Sequence, residues 1–140
     1  MPIEFLERCD MLEECYEFML AYAGQGLPSD QESQAGSQIR GFLRRAAEIL
    51  PDLAGSCAKA VAELRLEPAE TYKNFIDVLE RDAQTSLAAI ELVLAQPAIS
   101  SQLIDNLNAS IHLRQLLTDL FLIGDVFRTR SRPAVVNAGG

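Results

Sequence analysis

EPAETYKNFIDVLERDAQTSLAAIELVLAQP, residues 67–97, decides the fold class. Tyr72, Ile76, Leu79, Ala83, Leu87, Ile90 and Leu94 recur at steps of three and four, which places them on one face of an α-helix. Glu67 is placed to cap this helix. Pro68 takes the first helical position, where its missing N–H would be unpaired anyway, and Glu70 falls in the first turn. Pro97 closes the segment, which at 1.5 Å per residue is about 42 Å long.

The same periodicity continues towards the N-terminus. Phe5, Cys9, Leu12, Tyr16, Met19 and Ala23 form a helical seam between about Pro2 and Ala23, and Met11, Cys15, Phe18 and Tyr22 form a second seam beside it. Glu7, Asp10, Glu13, Glu14 and Glu17 fill the remaining arc. A face this broad must touch more than one neighbour. The loop GQGLPSDQESQAG (24–36) follows, with Gly24 or Gly26 able to end the helix in a left-handed cap. Ser29 and Glu32 have capping-box spacing, so the second helix is expected to start near Asp30. It carries Ile39, Phe42, Ala46, Ile49, Leu53, Cys57, Val61 and Leu64. Pro51 removes a backbone hydrogen bond inside it, yet the apolar phase continues across, which predicts a helix kinked or split there.

Towards the C-terminus, Ser100 or Ser101 is a natural cap for a fourth helix. Leu103, Leu107, Ile111, Leu117, Leu120 and Phe121 are expected on or near its inner side. From Leu116 to Phe127 (LLTDLFLIGDVF) it is apolar on nearly every side. Arg128, Arg130 and Arg132 then suit the negative end of a helix dipole. Short links between long helices imply antiparallel neighbours. The expected fold is therefore all-α: an antiparallel up-and-down bundle of about four long helices, one domain over residues 1–130, with residues 131–140 a flexible tail.

Composition narrows the function. Hydrophobic residues make up 49% of the 140-residue chain, enough for a core without disulfides or metal. The net charge of −8 argues against nucleic acid and anionic membrane surfaces as partners. Residues 1–34 hold eight acids and one base, while the second and fourth helical regions are mildly basic, so oppositely charged helices alternate along the chain. Leu116–Phe127 contains two aspartates and is too short to span a bilayer, so no membrane insertion is expected. The opening MPIEFLERCD turns acidic within four residues, unlike a secretory signal. Cys9, Cys15 and Cys57 have no metal-like spacing and read as reduced core residues of a cytoplasmic protein.

Candidate chemistry is sparse. His112 is the only histidine, with Ala109 and Gln115 three residues to either side, so neither a di-iron nor a histidine-rich site can be built. Histidine phosphotransfer domains usually have a small residue before the histidine and a basic residue and a glycine three and four after it; Ile111, Gln115 and Leu116 depart from all three. The acidic stripe of Asp10, Glu13, Glu14 and Glu17 lies on one helix, whereas hard cations prefer ligands wrapped around them, so it reads as a solvated or partner-facing surface. Arg40, Arg44 and Arg45 could grip a carboxylate or phosphate, but facing the acidic first helix is the simpler reading. No catalytic residue, metal ligand or cofactor is assigned.

Asp119 and Asp125 stand out, because they interrupt the most apolar stretch. Each either lines a pocket or lies on a surface covered by a second subunit. Two functions follow as expectations. The first is a non-enzymatic protein acting through helical contacts, as an adaptor, chaperone-like or regulatory module, and self-associating as a homodimer. Its basis is the surplus apolar surface of the first and last helices. The second is a small-molecule or cofactor-binding bundle, potentially an enzyme, with Tyr16, Tyr22, Tyr72, His112 or Asp119 as polar handles.

Overall fold

The computed structural model describes residues 3–31 and 33–131. Pro2, Glu32 and the tail beyond Ser131 lie outside them, including the predicted capping partner of Ser29 and the proposed flexible segment. Five helices follow in order: α1 (Ile3–Ala23), α2 (Gln34–Leu64), α3 (Ala69–Leu94), α4 (Ser101–Ala109) and α5 (Ile111–Ser131). The described residues contain no strand, as expected from the 3.6-residue periodicity.

The expected fourth helix is two helices. Ser110 adopts an extended conformation (φ −64°, ψ 138°) and its N–H donates to the Leu107 carbonyl. Its hydroxyl then accepts from the Leu113 N–H at 3.4 Å, capping α5. A serine hydroxyl competes with helical hydrogen bonding in this way, and hydrophobic periodicity does not reveal the break. The new phase after Ser110 leaves Ile111, expected inside, 63% exposed, and Phe121 54% exposed.

The α2 start also differs from expectation. Ser33 is the cap, accepting from the Gly36 N–H at 2.8 Å, and the helix begins at Gln34. Asp30 is occupied by tertiary contacts and cannot join the helix. Gly36 is obligatory because its backbone presses on Asp30; an added Cβ would lie 2.7 Å from the Asp30 Cα. Helix α2 runs unbroken through Pro51, which removes the split alternative. Pro68 precedes the first turn of α3 as its cap residue, one position earlier than expected. Ser100, not Ser101, caps α4, accepting from Leu103 at 3.0 Å.

At the α2 C-terminus, Arg65 sits in the left-handed region (φ 52°, ψ 46°), where a Cβ is disfavoured. Arg65→Gly should therefore raise stability by about 0.5–1 kcal/mol in thermal denaturation, after the extra chain entropy of glycine is subtracted.

Packing accounts for the broad face of α1. It contacts α2, α4 and α5. Phe5, Cys9, Leu12, Cys15, Met19 and Tyr22 are all buried. Phe18 stacks on Phe42 of α2 with centroids 4.3 Å apart, and Phe5 meets Phe127 of α5 edge-on at 5.4 Å. Most of the surplus expected on α1 is thus consumed inside the molecule, although Met11 of the second seam, Leu20 and Ile3 stay exposed. That of α5 is not, because Phe121 and Leu122 both remain more than half exposed.

Candidate functional site

Two polar constructions stand out, and only one faces outward. The first is a latch at the α1–α2 loop. The Asp30 carboxylate accepts from Arg40 Nε and from the Ile99 N–H, both at 2.7 Å. Arg40 also donates to the Leu94 and Gln96 carbonyls at 3.0 and 2.7 Å, satisfying groups at the end of α3. Burial alone would raise the Asp30 pKa, but the Ile99 N–H and the Arg40 guanidinium outweigh it and hold the carboxylate below its ordinary value. Nearby, Tyr22 donates to the Ile99 carbonyl at 2.6 Å. Ser101 donates to the Tyr22 carbonyl at 2.6 Å and accepts from the Leu27 N–H at 2.9 Å. Arg40 therefore does grip a carboxylate, but one from its own chain. Tyr22 is a structural tether, not a ligand handle.

The second construction is the seam between α3 and α5. At one end, Val78 and Asp82 of α3 face Arg114, Thr118 and Asp119 of α5 across an open cleft of about 660 Å³. At the other, Tyr72 and Phe75 face Leu122, Ile123 and Val126 around a smaller apolar groove of about 290 Å³. Residues 71–82 of α3 cover roughly 17 Å of this seam.

Asp119 is only 8% exposed, and its Oδ2 has no hydrogen-bond partner. Burial raises its pKa to about 7, aided by the close carboxyl of Asp82, with which it can share a proton. Asp119 is thus a buried acid at a cleft, whereas Asp125 is a surface residue. The His112 side chain is exposed, and its carbonyl accepts from Ser86 Oγ at 3.1 Å. Tyr16 packs half-buried against the core. Of the five expected handles, the structure brings Tyr72 and Asp119 to the seam.

The acidic stripe of α1 is partly internal in its electrostatics. Glu14 lies 4.0 Å from Arg45 of α2, Glu4 lies 3.9 Å from Lys59, and Asp10 lies 3.6 Å from Arg128 of α5. This is the cross-helix charge pairing expected from the alternation, and each exposed pair contributes little on its own. Among the described residues, no three His, Cys, Asp or Glu side chains converge on a metal-sized site. Cys9 and Cys57 are pushed up to about 12 and Cys15 to about 11, chiefly by burial, so all three are poor nucleophiles. No helix among the described residues is long and apolar enough to cross a membrane.

Sequence reasoning missed Asp82, Phe75 and Arg114. Nothing in a linear pattern pairs α3 with α5. The paired apolar residues Phe121 and Leu122 were the available signal. No known protein family, curated protein or solved structure matches the chain.

Proposed function

We propose that this is a non-enzymatic helical interaction protein that works through the α3–α5 face and self-associates there as a homodimer. One observation carries the reading. Phe121 and Leu122 are consecutive and 54% and 59% exposed, and Leu122 lines the apolar groove together with Tyr72, Phe75 and Val126. Isolated exposed apolar residues are common, but two consecutive large ones, one of them lining an apolar groove, make a candidate contact patch. The role is adaptor, chaperone-like or regulatory, all of which need only such a surface. We also read successive helices as running up and down. Lys59, late in α2, approaches Glu4, early in α1, while Arg40, early in α2, reaches Leu94 at the end of α3. Three free, buried cysteines fit a reducing, cytoplasmic setting.

Sedimentation equilibrium tests the proposal. The wild-type chain should dimerise with a Kd of about 10 μM, and Phe121→Ser with Leu122→Gln should give a monomer of unchanged helicity. A wild-type monomer at about 100 μM would overturn self-association. The Asp82–Asp119 cleft supports a second reading, a pocket for a small cationic ligand. Native mass spectrometry of the purified protein showing a bound small molecule would favour it over the first.

A further inference from the structure

We infer that the exposed face of α5 is self-complementary, and that a second copy of this chain docks on it antiparallel, its two-fold axis passing level with residues 119 and 120. The inference rests on the dimer reading above and adds the geometry and the charge pairing that select it.

Ile111, Gln115, Thr118, Leu122 and Asp125 follow at steps of four, three, four and three, so they share one line along α5, and all are exposed. Arg114 and Phe121 flank that line on the same side. The large apolar residues, Phe121 and Leu122, sit near the middle of the stripe between Arg114 and Asp125. Those two opposite charges are both exposed, and neither has an ion-pair partner within 4 Å among the described residues. They are eleven residues apart, about 16 Å along the helix, too far to meet each other.

Charge selects the orientation. A parallel pairing of two α5 helices would set Arg114 level with Arg114 of the other copy, and Asp125 level with Asp125. An antiparallel pairing centred between residues 119 and 120 sets each Arg114 level with Asp125 of the other copy, on the same flank. It also sets Phe121 of each copy level with Thr118 of the other, so that along the helix axis the two Phe121 lie about 4.5 Å apart and the two Leu122 about 7.5 Å apart, on either side of the centre. The result is an apolar core closed at both ends by ion pairs, the usual anatomy of a stable contact. An isologous arrangement uses the same patch twice and closes on itself, so it yields a dimer and not a filament. Asp125 thereby acquires a reason to interrupt an apolar stretch.

The test is charge reversal read by sedimentation equilibrium at low ionic strength, where rim pairs are least screened. Arg114→Glu and Asp125→Arg should each weaken the dimer about tenfold or more, because symmetry applies every change twice. The two single variants mixed, or both substitutions in one chain, should restore wild-type affinity. Circular dichroism should show no change in any of them, since both positions are exposed. A dimer that is lost with Phe121→Ser and Leu122→Gln yet ignores the charge reversals, or is not rescued by combining them, overturns the antiparallel register and leaves the face reading standing. A dimer indifferent to the Phe121 and Leu122 substitutions, or a wild-type monomer, overturns both.

Discussion

Replacing Arg40 by alanine should lower the unfolding free energy by about 3 kcal/mol, seen as a fall of about 10 °C in melting temperature. The guanidinium makes one bond to Asp30 and two to the carbonyls of Leu94 and Gln96. Its loss would leave the Asp30 carboxylate, 7% exposed at the side chain, with the Ile99 N–H as its remaining strong partner. An uncompensated buried charge is the costly outcome, more than the loss of any attraction. The control is Asp30→Asn combined with Arg40→Met. Its destabilisation should be clearly smaller than the sum of the two single variants, because each single change strands the other partner. An exposed pair such as Arg8 with Glu4, 3.0 Å apart within one helix, should cost under about 0.5 kcal/mol when broken. If Arg40→Ala costs no more than that, the latch does not hold the loop. The latch also has a pH signature. Because the folded Asp30 pKa lies below its ordinary value, its contribution is present above that value and is lost as pH falls through the folded one.

Asp119 has the opposite sign, and its removal should stabilise the protein. Its pKa rises from 3.8 to about 7 on folding, first through burial and then through Asp82. The folded state therefore binds more protons than the unfolded chain between these values. Stability falls as pH rises through that window, and the loss is complete above the folded pKa. Asp119→Asn keeps the shape and removes the charge. Above pH 7 it should be more stable than wild type by on the order of 3 kcal/mol, with the difference vanishing near pH 4. Urea denaturation across the range measures this directly. A wild-type stability that is flat between pH 5 and 8 would show that Asp119 is not held in its unfavourable ionised form.

How much of this was legible beforehand differs by level. The positions of α1 and α3, the buried Cys9, Leu79, Ala83 and Ile90, and the pairing of acidic α1 with bases of α2 and α5 all follow from local periodicity and charge. Those signals are local or averaged over a whole helix, so a linear reading captures them. The start of α2 was misplaced because a capping pattern around Ser29 competed with a tertiary role for Asp30 that joins positions 69 residues apart. The break at Ser110 was missed because one hydroxyl cap changed the helix phase without altering composition.

The sequence by itself determined that this chain is helical, and it supplied more apolar surface than one inward stripe per helix needs. A 3.6-residue pattern states which side of each helix is apolar, and a narrow polar arc limits where it can face. Only the tertiary structure decided which surplus remains. Helix α1 has three neighbours and buries most of its broad face, leaving Met11 and Leu20 partly exposed. Helix α5 begins a new phase at Ser110, packs chiefly on α3, and leaves Phe121 and Leu122 outside. Burial depends on the number and placement of neighbours, and those are set by contacts between residues far apart in the chain.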